Sequence, residues 1–446
     1  MSKSLIQYII SFLVLCGMLC PSMVYADYET GGVTKTILSN GVTLLVKQET
    51  ESKTVAVEVF VRTGALDENP GNTGIGQLLA GSILAGTTTR STGRLSRLVA
   101  EAGGNFHSQW QWNYTEVYAV TLPSASLEAV SIIADSIQNS SLDPQSIEYS
   151  RSTILKEIGR QEDDPFNSAY TSVRSQLYSG TPYGRPYLGK AEIIRRITSE
   201  QVRAFYQKNF VADRIVVSVV GSVDPDAVAR KVETCFKNMS MGFVEPKPVS
   251  SLSPAGRYVQ MKKTGAASYI MVAYPAPGVE DKDYMAMCIA NVLLGGNKSS
   301  LLFTRLREQK GFGYQVGSQY PAFIGRGHMI EFLGMDSSRA TPETVKSVES
   351  AMIDQAGFLM RGEFSDKDFD RAKKYLIGKH ALNHERIRDR AFNLGWAETM
   401  GLGYQFDLPM VYSEAVNKVT RDDVIRVCKQ YLSDPVALVY SGNEDK

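Results

Sequence analysis

The sequence predicts an α+β protein made of two similar lobes. Two observations lead to this prediction: the chain contains an internal repeat, and strand-like and helix-like segments alternate within each half. The repeat is clearest where Ile197–Val202 recurs as Val419–Val424, at an offset of 222 residues (419 minus 197). A repeat of this length indicates the number of lobes before any motif is interpreted.

The repeated segment predicts matching helices and strands in the two halves. Thr198 and Thr420 are N-cap candidates, and by sequence only Thr198, with Gln201 three residues later, has a full capping box. After a short helix, each half contains an apolar run that ends at a glycine. Such runs are typical of buried strands, and they cover Ile215–Gly221 and Val436–Gly442.

Strand and helix patterns alternate within the first half. Val55–Val61 has valine at every second position, which is the period of a strand with one face more apolar than the other. Val117–Leu122 repeats the pattern, and helical spacing covers Ile75–Leu84 and Ile147–Glu162. Each half should therefore contain a sheet backed by helices.

The first residues have the pattern of a secretory signal peptide. An apolar run too short to span a membrane is followed by Val24 and Ala26, whose small side chains suit signal peptidase. Cleavage after Ala26 is predicted, so residues 1–26 are expected to be a signal peptide. A lipoprotein anchor at Cys16 or Cys20 is the alternative, and the leucine before each cysteine argues against it.

A segment rich in Pro and Ser separates the two halves. Residues 244–256 are predicted to be a stiff linker between an N-terminal lobe at 27–243 and a C-terminal lobe at 257–446. The three cysteines outside the signal peptide are an odd number and widely spaced, so free thiols are expected.

Charge and hydropathy exclude two classes of partner. The chain has 48 Lys plus Arg against 47 Asp plus Glu, which leaves no basic excess for a nucleic acid. After signal cleavage no membrane span is expected, since no other apolar run is long enough.

Gly74–Thr87 resembles the zinc-binding helix of a peptidase family. Its sequence, GIGQLLAGSILAGT, follows the Gly-x-x-His-x-x-Glu-His-x-x-x-x-Gly-Thr pattern of the inverzincins, the pitrilysin, insulinase and mitochondrial processing peptidase family. The resemblance covers nearly the whole chain after the signal peptide. It implies two homologous lobes, each a mainly antiparallel sheet backed by helices, that form a clamshell chamber. Further blocks that resemble the family are Glu157–Ile158, Glu162–Pro165, Pro182–Gly189, Leu294–Gly296, Ser299–Leu301, Leu306–Glu308 and Gly311–Tyr314.

The zinc ligands of that family are missing from this chain. Position by position, the resemblance places Gln77 at the first His, Ala80 at the general-base Glu and Gly81 at the second His. Glu157, 76 residues after Gly81 (157 minus 81), matches the third ligand. One carboxylate and an amide cannot hold Zn²⁺ tightly, and alanine cannot take a proton from water. We therefore expect this chain to bind no metal and to be inactive alone.

The second half keeps the other part of the family's site. In the family, an Arg and a Tyr hydrogen-bond the substrate carbonyl as it becomes an oxyanion, and Arg307 and Tyr314 match them here. The alternative roles are a surface ion pair for Arg307 and packing on the sheet for Tyr314. The resemblance therefore implies a zinc-bearing paralogous subunit, a peptide substrate and a composite active site. A catalytically inactive scaffold or peptide-binding protein is the alternative.

Four other histidine and serine positions carry weaker predictions. His107 and Ser108 stand where the family has Asn and Ala, on a strand edge that receives the substrate as an added strand, so they are candidates for substrate contact or for an interface. His380 and His384 would share one helix face, as in zincins, but Ala381 occupies the place of the zincin Glu. An exposed or interlobe helix is favoured there over a metal site. The signal peptide predicts export to the periplasm of a Gram-negative cell.

Overall fold

The computed structural model describes residues 25–242, 257–262, 266–435 and 437–442. The predicted linker lies outside this part of the chain. The predicted signal peptide also lies outside it, apart from Tyr25 and Ala26, which begin the first strand. We call residues 25–242 the first lobe and the described residues from 257 onwards the second lobe.

The first lobe contains a seven-stranded sheet and eight helices of one turn or more among the described residues. Its strands are β1 (Tyr25–Thr30), β2 (Val33–Ile37), β3 (Thr43–Gln48), β4 (Val55–Val61), β5 (Asn105–Trp110), β6 (Thr115–Thr121) and β7 (Ile215–Gly221). Its α-helices are α1 (Ile75–Ser82), α2 (Thr92–Glu101), α3 (Ser126–Asn139), α4 (Pro144–Asp163), α5 (Pro165–Leu177), α6 (Ala191–Ile194), α7 (Ser199–Asn209) and α8 (Pro225–Phe236).

The second lobe contains a five-stranded sheet. Its strands are β8 (Arg257–Lys262), β9 (Ala267–Ala276), β10 (Gln315–Gln319), β11 (Gly327–Asp336) and β12 (Ala437–Gly442). Its α-helices are α9 (Tyr284–Leu294), α10 (Pro342–Met360), α11 (Asp366–Leu382), α12 (Ile387–Thr399), α13 (Pro409–Lys418) and α14 (Arg421–Tyr431). A π-helical segment covers Phe303–Gln309 and a 3-10 turn covers Tyr404–Asp407.

The five strands of the second sheet follow the same order as the last five strands of the first. The first sheet runs β1-β2-β3-β7-β4-β6-β5, and the second, read from its opposite edge, runs β8-β12-β9-β11-β10. Of the described strand pairs only β3 with β7 and β12 with β8 are parallel. Both are the equivalent pair in their lobes. The predicted fold class, two homologous α+β lobes with mainly antiparallel sheets, is confirmed.

The two halves exchange one helix. Helices α5 and α12 are equivalents, since 387 minus 165 is 222, the offset of the sequence repeat. Helix α12 lies on β4 and β7 of the first sheet, whereas α5 lies on β9 and β12 of the second. At Gly395 the close approach of α12 leaves no room for a side chain, because a β-carbon there would lie 2.5 Å from the Phe60 ring. Each sheet is therefore covered by its own helices on one face and by the exchanged helix on the other.

This exchange explains one departure from the sequence pattern. All seven residues of β4 are buried, although the alternation predicted one face more apolar than the other. The valines of β4 face the core formed with the first lobe's own helices. Ala56 and Phe60 face α12, in a second core that includes Ala391 and Leu394.

Helices α7 and α14 start in the same way. Thr198 accepts the Gln201 N–H, and the Gln201 side chain accepts the Thr198 N–H at 2.8 Å. The prediction that only this helix has a full capping box is wrong. The Asp423 carboxylate accepts the Thr420 N–H at 3.0 Å, so the shorter acidic side chain also closes the box.

Candidate functional site

Helix α1, which carries the degenerate zinc motif, begins at an acidic cap. Gly74 has the left-handed φ of +91° before the first turn, and the Gly74 and Gly76 amides donate to the Glu68 carboxylate at 2.9 and 3.1 Å. Burial raises the pKa of Glu68 to about 7, against the opposing effect of these two amide hydrogen bonds. The start of α1 is thus fixed by hydrogen bonds from its backbone amides to the Glu68 side chain of the same lobe.

The face of α1 that would surround a metal ion is closed by packing. A β-carbon at Gly76 would lie 1.9 Å from the Trp110 ring, and one at Gly81 would lie 2.2 Å from the Ser150 hydroxyl oxygen on α4. Ala80, between them, is buried. Gly81, which replaces one of the family's ligands, therefore lets α1 lie closely against α4, and Gly76, which is not at a ligand position, lets it lie against Trp110 of β5.

The remaining polar groups of the motif have other partners. The Gln77 amide donates to the Tyr187 carbonyl at 3.4 Å. Glu157 is a partly exposed residue of α4 that pairs with Arg160 at 3.2 Å. The donors at the motif positions are therefore one amide and one carboxylate in a surface ion pair, with no imidazole, and this set does not fit a catalytic zinc ion.

Strand β5 lies at the edge of the first sheet, next to α1. The Ser108 hydroxyl donates to the Ala80 carbonyl, which joins the strand to the helix. His107 is exposed, and its ring stacks on Tyr118 at 5.1 Å. A sheet edge offers backbone N–H and C=O groups to an extended peptide. The structure therefore brings His107 and Ser108 together with the closed motif, at an edge that could receive a peptide.

Arg307 and Tyr314 lie at the two ends of one tight turn. Arg307 belongs to the π-helical segment, and the turn closes when the Gly311 N–H donates to the Arg307 carbonyl at 3.1 Å. The Tyr314 N–H donates to the Gly334 carbonyl at 3.0 Å. A β-carbon at Gly313 would lie 2.4 Å from that same carbonyl oxygen, so the turn needs glycine there. The backbone that carries both residues is therefore fixed on β11.

The side chains of Arg307 and Tyr314 are exposed. Tyr314 is 67% exposed, and its hydroxyl has no hydrogen-bond partner in the described part of the chain. The Arg307 guanidinium lies 4.7 Å from the Phe303 ring and makes no ion pair with any described residue. Among the described residues, Arg307 therefore makes no ion pair, and most of the Tyr314 side chain faces solvent. Two hydrogen-bond donors are left available to a ligand.

The structure also brings together three polar side chains, of which the sequence indicated only two as neighbours. His380 and His384 on α11 meet Asp407, which ends the 3-10 turn after α12. The spacing of the two histidines was visible in the sequence, but Asp407 is 23 residues beyond His384 and carries no local signal. All three are within the second lobe, away from the turn that carries Arg307 and Tyr314 in sequence.

Comparisons with known proteins agree with this architecture. Residues 43–191 match the model of the insulinase family, peptidase family M16, and residues 196–376 match that of the peptidase M16 inactive domain. An uncharacterized zinc protease of Streptomyces coelicolor is 24% identical over 430 residues, which cover 94% of this chain and 92% of that protein. An uncharacterized zinc protease of Rickettsia bellii is 27% identical over 412 residues, which cover 91% of this chain and 96% of that protein.

Two solved structures share the fold. A protease from Helicobacter pylori superposes with a TM-score of 0.84 at 18% identity, covering 94% of this chain and 100% of that one. A peptidase M16 inactive domain from Pseudomonas fluorescens has a TM-score of 0.84 at 19% identity, covering 93% of this chain and 98% of that one.

Proposed function

We propose that this chain, which belongs to the M16 peptidase family, is the non-zinc subunit of a heteromeric zinc metallopeptidase that acts on peptides or unfolded protein. In this proposal it supplies Arg307 and Tyr314 to the active site of a zinc-bearing paralogous subunit. The contrast between the two lobes carries the proposal: the zinc helix is closed by packing, while Arg307 and Tyr314 are exposed on a fixed turn.

The chemistry follows from what the two side chains can donate. The partner's zinc would activate the water that attacks the peptide carbonyl. As the carbonyl oxygen gains negative charge, the Tyr314 hydroxyl and the Arg307 guanidinium can both donate hydrogen bonds to it. Donors that are already fixed in place stabilise such an oxyanion without reorganisation, and loss of one donor costs roughly 100- to 1,000-fold in rate.

The first test is a peptidase assay on the chain alone and on the chain mixed with an M16 homologue of the same organism that has both zinc-binding histidines. We expect no activity from the chain alone and activity from the mixture. Arg307→Ala and Tyr314→Phe should each lower the activity of the mixture by roughly 100-fold or more. Arg94→Ala and Tyr149→Phe change an exposed arginine and an exposed tyrosine of the first lobe and serve as matched controls.

Three results would overturn the proposal. The first is a mixture that stays inactive with every available homologue. The second is full activity of the mixture with both variants. The third is activity of the chain alone that is lost with Glu157→Gln, since it would place a working zinc site at the degenerate motif.

The second candidate function is that of a catalytically inactive peptide-binding protein or scaffold. The open edge of β5, with His107 and Ser108 beside the closed helix α1, supports it. Binding of an extended peptide by the chain alone, together with silence of every mixture, would favour this function. The backbone N–H groups of Gln111 and Gln109 point to β6, so that of Ser108 points to the open edge. A proline placed at Ser108 should then weaken peptide binding, because proline donates no backbone hydrogen bond.

We also propose that the protein is exported to the periplasm. The support is the pattern of residues 1–26, with small side chains at Val24 and Ala26. N-terminal sequencing of the protein purified from cells should begin at Asp27. A chain that retains Met1 and fractionates with the cytoplasm would contradict this location.

A further inference from the structure

Two histidines and an aspartate of the second lobe, far in sequence from the closed motif, converge in the structure. The Nε2 atom of His380 lies 3.3 Å from one Asp407 carboxylate oxygen, and the Nε2 atom of His384 lies 2.9 Å from the other. One donor atom from each of the three residues lies within 4.8 Å of the other two. Two atoms bound about 2.0 to 2.1 Å from a tetrahedral Zn²⁺ lie about 3.3 Å apart. The two histidine-to-aspartate distances are therefore close to those between the ligands of one metal ion.

The hydrogen bond made by Nδ1 of His384 determines whether its Nε2 atom, which faces Asp407, carries a hydrogen. The Nδ1 atom lies 2.6 Å from the His380 backbone carbonyl, which can only accept, so Nδ1 carries the hydrogen. In the neutral ring, Nε2 then presents a lone pair to a carboxylate oxygen. Two acceptors at 2.9 Å repel each other unless a positive charge lies between them. A backbone carbonyl that holds the outer nitrogen is also the usual outer contact of a metal-binding histidine.

His380 is oriented by stacking. Its ring lies 4.0 Å from the Tyr412 ring, at an angle of 12°. Its Nε2 atom is buried and has no well-directed hydrogen-bond partner among the described residues, although the Asp407 carboxylate is close. The side chains of His380, His384 and Asp407 are 11%, 15% and 12% exposed, so the group is shielded from bulk water. An unpartnered buried nitrogen aimed at a carboxylate is a second indication of a missing cation.

The first lobe shows that the fold itself does not need this group. Subtracting the repeat offset of 222 from 380, 384 and 407 gives Ile158, Glu162 and Arg185. An isoleucine and an arginine cannot bind a cation. The cluster is thus a feature of the second lobe alone.

The residues of the cluster flank the exchanged helix α12 along the chain. His384 precedes the helix and Asp407 ends the turn that follows it. Arg390, on the helix, donates to the His384 carbonyl at 2.6 Å and pairs with Glu49 of the first lobe. A cation held by the cluster would tie together the two chain segments that flank α12, and so hold α12 on the first sheet.

We propose that His380, His384 and Asp407 form a binding site for one divalent transition-metal ion, with Zn²⁺ as the ion that best suits two imidazoles and a carboxylate. The site is structural and stabilises the contact of α12 with the first lobe. It departs from the expectation that this chain binds no metal, and it is independent of the composite active site.

The test measures metal binding to the purified full chain without a histidine tag. After treatment with a chelator, isothermal titration with Zn²⁺ should give one ion per chain, and Co²⁺ should give the visible absorption of a tetrahedral site. His380→Gln, His384→Gln and Asp407→Asn should each weaken the affinity by roughly 100-fold or more, since even an outer contact is worth about 10- to 100-fold. His107→Gln and Glu157→Gln are the matched controls and should retain full affinity.

Thermal unfolding supplies a second readout. Zn²⁺ should raise the Tm of the wild-type chain and of both controls, but not of the three cluster variants. If the cluster holds only a proton, the wild-type chain will show no stoichiometric zinc, no cobalt spectrum and no rise in Tm, and the proposal is wrong. Binding that survives Asp407→Asn but is lost with Glu157→Gln also overturns it. If a variant does not fold, the cobalt spectrum of the wild-type chain decides.

Discussion

The first and second lobes share a strand order and an exchanged helix, yet they use their polar residues in opposite ways. In the first lobe, the helix that matches the zinc motif is packed shut against Trp110 and Ser150. In the second lobe, Arg307 and Tyr314 project from a fixed turn, and neither polar group makes a hydrogen bond or ion pair with a described residue. The difference indicates that the motif residues of the first lobe now stabilise the fold, whereas those of the second are available for function.

The two exchanged helices also differ in the kind of contact that holds each of them on its sheet. Helix α12 is held on the first sheet by ion pairs, with Arg388 against Glu58 and Glu116, and with Lys35 2.9 Å from Glu398. Helix α5 makes no ion pair with any described residue: its buried Arg174 guanidinium lies 4.3 Å from the Trp112 ring, and rings and hydrogen bonds make the contact with the second sheet. There the lobe joint contains His328, whose Nδ1 lies 2.8 Å from the Tyr178 hydroxyl. The same helix position is thus held by ion pairs in one lobe and without an ion pair in the other, where His328 and Tyr178 form a pair of neutral groups.

The largest expected effect is on the charged joint. Arg388→Met should lower the free energy of unfolding by about 3 to 5 kcal/mol, because it leaves the buried carboxyl groups of Glu58 and Glu116 without their cation. Urea denaturation of both proteins measures the difference. Arg160→Met, which breaks the exposed pair with Glu157, is the control and should change stability little. Equal effects of the two substitutions would contradict the distinction between the joints.

The pH dependence sharpens this first prediction. Burial raises the pKa of Glu58 well above 4.5 and raises that of Glu116, while Arg388 opposes the shift. The folded state therefore keeps these carboxyl groups protonated to a higher pH than the unfolded chain does. The stability that this provides is complete below pH 4.5 and is lost as the pH rises through the folded pKa values. Without Arg388 both pKa values rise further, so the deficit of Arg388→Met should grow as the pH rises above 4.5.

The close packing of α1 is tested by a glycine-to-alanine substitution on this helix, with the same substitution on α4 as the control. Gly76→Ala should lower the free energy of unfolding by about 1 to 3 kcal/mol, because the new β-carbon would lie 1.9 Å from the Trp110 ring. Gly159→Ala on α4 meets nothing within 4 Å and should raise it by about 0.5 to 1 kcal/mol. If Gly76→Ala were neutral, α1 would not be packed shut.

Loss of a polar group at the joint of His328 and Tyr178, which contains no ion pair, should lower stability less than loss of Arg388 at the charged joint. Tyr178→Phe removes the hydroxyl beside His328 and should cost about 1 to 2 kcal/mol, since a buried nitrogen loses its partner. Burial lowers the pKa of His328 to about 3, so the folded ring stays neutral from pH 5 to pH 8. The deficit of Tyr178→Phe is therefore expected to vary less over this range than that of Arg388→Met. A deficit as steep as that of the charged joint would remove the contrast between them.

The smallest expected effect on stability is at the exposed turn. Arg307→Ala and Tyr314→Phe should each leave the free energy of unfolding within about 1 kcal/mol of the wild-type value. Neither side chain makes a hydrogen bond or ion pair with a described residue, and an exposed contact such as that of Arg307 with the Phe303 ring is worth about 0.5 to 1 kcal/mol. Denaturation of the same preparations that are assayed for activity checks this. A destabilised variant would mean that the residue also supports the fold, and its loss of activity would then say nothing about substrate contact.

The sequence by itself determined the two-lobe α+β plan, the family and the loss of the zinc ligands. These features are written locally: the repeat, the alternation of apolar residues and the residue types at Gln77, Ala80 and Gly81 can be read without knowing which surfaces meet. The same holds for the short spacing of Arg307 and Tyr314, which lie at the two ends of a single turn, whereas the edge position of His107 was expected only from the family resemblance.

Only the tertiary structure decided which surfaces meet. The exchange of α5 and α12 buries both faces of each sheet, and periodicity along one strand cannot reveal what covers its second face. Arg388 meets Glu116 across 272 positions of sequence, and Asp407 completes the histidine pair from a turn beyond α12. Local patterns record the spacing of apolar residues, whereas partners this far apart are chosen by packing of the whole chain.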